Sequence, residues 1–273
     1  MLSYRCQGQP NNPAIVLLHG FLGDKQDWLA VTEVLAEQYY CISIDLPGHG
    51  DSLNQPLSTP GFETCCELIE QTVATLGVKQ YHLIGYSLGG RIALHLARRY
   101  PSYVLSLILE SCHPGLQSEQ DKAQREINDA QWADKLAQLD ITTFLTQWYQ
   151  QAVFADLSSK ERQLMILRRS GNQGVNLSNC YQATSLAQQA DLWDTPAVIS
   201  APCFFIAGAD DKKFLSLATR WQQQYPLKLY PVNASGHNVH SAAPDTFSQL
   251  VLRLLKPLAV NPTLPNRPLN DSE

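Results

Sequence analysis

Long apolar runs are missing from this chain. No stretch approaches the ~18–20 apolar residues that span a bilayer, and the N-terminus has no charged-then-apolar signal region. The sequence reads as a soluble cytoplasmic protein with no membrane insertion. Charge is scarce as well: Asp, Glu, Lys and Arg together make 16% of 273 residues, and the net charge is −5. A negative average field gives nucleic acid no electrostatic support, so an anionic substrate has to be caught by local arginines. Metal-like cysteine spacing is absent too. The seven cysteines (Cys6, Cys41, Cys65, Cys66, Cys112, Cys180 and Cys203) are an odd set. Cys41, Cys112 and Cys203 fall in or beside apolar runs, where a free thiol acts as a small buried hydrophobe. No metal or cofactor is expected, and no internal repeat occurs.

What is present is an apolar content of 44%, ordinary for a globular chain of this length, and a regular alternation of patterns. Short apolar runs predict strands at Ala14–Leu18, Cys41–Asp45, His82–Ile84, Leu105–Leu109, Cys203–Ala207 and Leu227–Val232. Helical spacing of apolar residues marks Trp28–Gln38, Phe62–Leu76, Arg91–Ala97 and Asp245–Leu255. Strands alternating with helices at this pace predict a mostly parallel central sheet flanked by helices. From about 113 to 194 the rhythm breaks into polar, glutamine-rich helical segments at Gln131–Leu139, Ile141–Val153 and Ser159–Arg169. An insertion there predicts a helical cap over the sheet's C-terminal edge. The core is then 1–112 with 195–258, the cap 113–194, and the proline-rich stretch 259–273 a disordered tail.

The chain is organised around residues 82–91. An apolar run leads into Gly85-Tyr86-Ser87-Leu88-Gly89, and a helical stretch follows at once. That is the setting of a nucleophile elbow, where a serine stands on a sharp strand-to-helix turn. A serine hydroxyl is inert at neutral pH without a base, itself oriented by a third group. The partners of an α/β-hydrolase fold follow in the order Ser, Asp, His. Gly208-Ala209-Asp210-Asp211 closes one predicted strand, and Ser235-Gly236-His237-Asn238 closes the next. Ser87, Asp211 and His237 are the candidate triad, with Asp210 as the alternative acid and His240 as the rival histidine. The backbone N–H groups of Phe21 and Leu88 are the candidate oxyanion hole. His19 and His49, in glycine turns at the same edge, read as structural.

Several segments together resemble one family. They are Asp45–Ser52, Gly85–Arg91, Glu110–Leu116 (containing His113-Pro114-Gly115-Leu116), Trp148–Phe154 and Ala183–Leu186. The chain resembles the 2-succinyl-6-hydroxy-2,4-cyclohexadiene-1-carboxylate synthases, α/β-hydrolase-fold lyases of menaquinone and phylloquinone biosynthesis, over about residues 14–256. The resemblance implies that pyruvate is eliminated from an enolpyruvyl ether without water or external cofactor, Ser87 acting as a base. It implies a small anionic carboxylate substrate, held by Arg91, Arg125 and Arg169 with Tyr86 and Trp148 lining the pocket. Arg168 is the alternative to Arg169. Two positions depart from the family's pattern: Ala152 stands where a proline is expected, and Asp210 where a basic or polar residue is expected. Two other readings use the same residues. One is a serine esterase or carbon–carbon bond hydrolase, and the other a ligand-binding protein without turnover.

Overall fold

Neighbouring residues of each inner strand point to opposite faces, and that alternation builds two cores. In the computed structural model, which describes residues 1–258, Val16 and Leu18 enter one apolar cluster while Ile15 and Leu17 enter the other. The stretch 259–273 lies outside the described residues. In chain order the main elements are β1 (Tyr4–Gln7), β2 (Ala14–Leu18), α1 (Leu29–Leu35), β3 (Tyr40–Ile44), α2 (Phe62–Thr75), β4 (Tyr81–Tyr86), α3 (Leu88–Arg99) and β5 (Val104–Glu110). Four further helices follow: α4 (Glu119–Gln138), α5 (Ile141–Trp148), α6 (Ser159–Arg169) and α7 (Gly174–Ala183). The chain closes with α8 (Thr195–Val198), β6 (Cys203–Gly208), α9 (Lys212–Gln224), β7 (Leu227–Val232), α10 (Val239–Ala242) and α11 (Pro244–Leu255).

The seven strands form one sheet in the order β1-β3-β2-β4-β5-β6-β7. Only β1 runs antiparallel, pairing Tyr4 with Ile44 and Gln7 with Cys41. The sheet is therefore mostly parallel, and its inner strands are buried on both faces, as crossover helices require. Residues of α2, α3 and α9 cover one face, and α1 with α11 covers the other. The strand order reverses between β2 and β4, which opens a crevice at their C-terminal ends. The loop carrying Phe21 and the turn carrying Ser87 both leave from that crevice.

Three parts of the architecture differ from the sequence-based expectation. Strand β1 is short and largely half-buried, so it carries no alternation, and its partner is remote in sequence. Helix α4 starts at Glu119, capped by the Ser118 side chain, well before the expected Gln131. Its first half faces solvent and gives no apolar period to read. Helices α7 and α9 are additions that the sequence patterns do not predict. The helices α4 to α7 fall between β5 and β6 and share a third apolar cluster, in which Leu136, Phe144, Leu145, Tyr149 and Leu177 meet Leu22 of the β2 loop.

Candidate active site

Ser87 stands between β4 and α3 with φ 50° and ψ −107°, a strained conformation for a residue with a side chain. Its surroundings hold it there. The Ser87 N–H donates to the Glu110 carbonyl at the end of β5 (2.9 Å), and its own carbonyl accepts from the Arg91 N–H (3.0 Å). The flanking glycines are a steric requirement. A Cβ on Gly89 would strike the Leu18 and His19 carbonyls, and one on Gly85 would strike the Gly89 backbone. Leu88 is the first helical residue of α3, so its N–H has no partner inside the helix and lies at the positive end of the helix dipole.

Two buried imidazoles shape the loop that carries Phe21. The Leu46 N–H donates to His19 Nε2 (3.0 Å), and the Leu22 N–H donates to His49 Nε2 (3.2 Å). Each ring therefore carries its proton on Nδ1, which donates to a local carbonyl, that of Gly20 or Pro47. Burial pushes both rings below the ordinary imidazole range, His49 to about 3 with His19 adding to the effect. Neutral rings accept hydrogen bonds; His49 thereby holds Leu22 at φ 69°, and His19 ties the same loop to Leu46.

Asp211 caps α9, accepting from the Phe214 N–H, and its other oxygen lies 2.7 Å from His237 Nδ1. Both side chains are buried. Asp210 is exposed and engages Ser235 only through its backbone N–H. The ring of His237 rests between Tyr86 (centroids 5.4 Å) and Phe214 (4.9 Å). Asp156 lies against Gly236, in the space that a Cβ there would need. Among the described residues no hydrogen bond joins Ser87 to His237. His240 is engaged elsewhere: its backbone N–H and Nδ1 both meet the buried Glu110 carboxylate, at 3.0 and 2.7 Å.

Ser87 opens onto a small cavity lined also by Arg91, His113, Arg125, Lys213 and Phe214. Arg91 donates to the Thr184 carbonyl (2.8 Å) and lies over the Phe62 ring. Burial and then Arg125 push its pKa down to about 10, which leaves it charged at neutral pH. Arg125 is braced by Asp129 (2.8 Å), whose oxygens also accept from the Tyr181 and Ser185 hydroxyls. Burial opposes the charge on Arg125, but Asp129 outweighs it and the pKa stands above the usual value. Lys213 is an exposed residue whose ammonium lies over the Phe214 ring; desolvation and Arg125 hold it below the usual lysine range.

The sequence matches the alpha/beta hydrolase fold family over residues 13–244. It is 37% identical over 254 residues to the 2-succinyl-6-hydroxy-2,4-cyclohexadiene-1-carboxylate synthase of Salmonella agona, covering 90% of this chain and 96% of that one. The Enterobacter synthase gives 37% over 249 residues, with 91% and 94% covered. The structure of MenH from S. aureus superposes with a TM-score of 0.83 at 26% identity, covering 95% of this chain and all of that one. The chain belongs to the 2-succinyl-6-hydroxy-2,4-cyclohexadiene-1-carboxylate synthase family. An esterase from Thermogutta terrifontis, at TM-score 0.81 and 19% identity, shares the fold alone.

For this synthase-family chain, the remaining expected pocket residues fall in different places. Tyr86 ends β4, buried between the rings of His237 and His240. Trp148 packs on Phe21 (5.2 Å), Trp132 and Phe144, which ties α5 to the loop after β2. Arg169 is not brought to the Ser87 cavity. Its guanidinium pairs with Asp27 at 2.6 Å and approaches Asp24 at 3.9 Å, while Arg168 is exposed. Lys213 and His113 line the cavity and were not among the expected site residues. The position of Lys213, two residues after the acid that closes β6, was the available signal. Among the described residues no three His, Cys, Asp or Glu side chains converge as a metal would need.

Proposed function

We propose that this chain eliminates pyruvate from 2-succinyl-5-enolpyruvyl-6-hydroxy-3-cyclohexene-1-carboxylate, giving 2-succinyl-6-hydroxy-2,4-cyclohexadiene-1-carboxylate, in the cytoplasm. Ser87, made basic by His237 and Asp211, takes the proton alpha to a carbonyl. The electron pair released forms a new ring double bond, the existing ring double bond shifts one position towards the ether carbon, the C–O bond there breaks, and the departing enolate is protonated to pyruvate. The Phe21 and Leu88 N–H groups stabilise the charge that gathers on the carbonyl oxygen. Arg91 and Arg125 bind the carboxylates, with Tyr86 and Trp148 as walls, while Arg169 stays on Asp27, outside that clamp.

One observation supports this reading above the others. The cavity beside Ser87 holds Arg91 and Arg125, and among the described ion pairs only Asp129 answers them. A neutral ester needs no such excess of cation, whereas a polycarboxylate does. The test is pyruvate release by wild type, Ser87→Ala and Arg91→Ala, with an aryl ester as control. Release should vanish with Ser87→Ala. It should fall about tenfold to a hundredfold with Arg91→Ala, the scale of a lost charge-assisted hydrogen bond. Brisk ester cleavage without pyruvate would make the protein a serine hydrolase. Ligand binding without either turnover would make it a binding protein.

A further inference from the structure

We propose that the His113 side chain binds substrate, its Nε2–H donating a hydrogen bond to a substrate carboxylate in the cavity shared with Ser87, Arg91 and Arg125. The proposal rests on the pyruvate-eliminating reading and adds a binding group to it.

The argument begins at the backbone. His113 follows the Ser111 turn (φ 47°) at the end of β5, and its segment is pinned from the far side. The Gln189 amide donates to the His113 carbonyl (2.9 Å), and the Leu192 N–H donates to the Pro114 carbonyl (2.8 Å). Gly115, at φ 116°, sits so close to the Ala190 carbonyl that a Cβ has no room. From that rigid turn the Gly115 N–H reaches back and donates to His113 Nδ1 at 3.0 Å.

A ring nitrogen that accepts carries no proton, so the neutral ring has its proton on Nε2. The ring is kept neutral: desolvation, then Lys213, Arg91, Arg125 and Arg220, push its pKa down to about 3. Its tautomer is thus set by the loop, and its neutrality first by burial and then by the surrounding cations. No described protein acceptor takes up the Nε2–H, and the residue lines the cavity that contains Ser87. A site crowded with cations gains from a donor that adds direction without adding more positive charge. A carboxylate oxygen, drawn in by Arg91 and Arg125, is the acceptor such a donor fits.

Two isosteric changes separate binding from loop support. In His113→Asn the amide oxygen can replace Nδ1 as acceptor for Gly115 while the distal donor is lost. In His113→Gln the amide nitrogen can replace Nε2 while the acceptor for Gly115 is lost. Pyruvate release is measured for wild type and both variants, along with thermal unfolding. We expect His113→Asn to raise KM about tenfold to a hundredfold with little change in kcat, and His113→Gln to recover most of that loss. A wild-type KM in His113→Asn, or His113→Gln no better than His113→Asn, overturns the proposal and leaves the lyase reading standing. Absence of pyruvate release by the wild type overturns that reading, and this proposal with it.

Discussion

Asp210 and Asp211 are one backbone step apart, and that step decides which carboxylate meets His237. In sequence the two are chemically the same, and the spacing from Gly208 only favours the second. In the fold Asp211 sits at the cap of α9 with its free oxygen on His237, while Asp210 faces solvent. The pair Arg168 and Arg169 was undecidable for the same reason, because residues adjacent on a helix point about 100° apart and periodicity in a polar segment is weak. The structure turns Arg169 inward onto Asp27. Arg169→Ala therefore leaves Asp27, a largely buried carboxylate, without its cation. We expect a loss of about 1–3 kcal/mol of stability, seen as a lower denaturation midpoint in urea with an unchanged slope. A midpoint equal to wild type would mean that the pair contributes nothing to the fold.

At the scale of elements, legibility followed burial. Strands β2 to β6 were readable because inner parallel strands are nearly continuous apolar runs, edge strand β7 because buried Leu227 and Val232 bound it, and the elbow because its glycines are demanded by contact. Strand β1 is largely half-buried and the first half of α4 faces water, so no hydrophobic pattern marks them. Helix α9 is amphipathic, but its meaning depends on Trp221 reaching across to Trp193, a contact between elements distant in sequence. The elbow yields the sharpest prediction here. Gly89→Ala would drive a methyl group into the Leu18 and His19 carbonyls, and backbone of two packed elements has little freedom to retreat. We expect a destabilisation of about 3 kcal/mol or more and loss of Ser87-dependent turnover in whatever folds. A Gly89→Ala variant with wild-type melting temperature and turnover would show the junction to be looser than described.

For the molecule as a whole, the histidines set the response to acid. Five of the seven have their pKa lowered by burial: His19, His49 (about 3), His82 (about 4), His95 (about 4) and His113 (about 3). The unfolded chain takes up these protons near pH 6.5, whereas in the folded protein His49, His82, His95 and His113 resist them down to pH 3–4 and His19 shifts in the same direction. Acid therefore favours the unfolded state. Stability is full above about pH 6.5 and falls as the pH drops through the window below it, His49, His82, His95 and His113 each contributing on the order of 1–2 kcal/mol by pH 5. Urea unfolding followed at pH 7, 6 and 5 should give a progressive decrease of several kcal/mol, and a constant value would mean these rings are solvated. The connection between β5 and β6 carries a different consequence. The two strands are hydrogen-bonded neighbours, Leu107 opposite Cys203, so the chain leaves the sheet and returns almost to its point of departure. Everything in between is a closed excursion. Its length can change without shifting the register of a single strand, so the sheet and what hangs from it are separable parts of one chain.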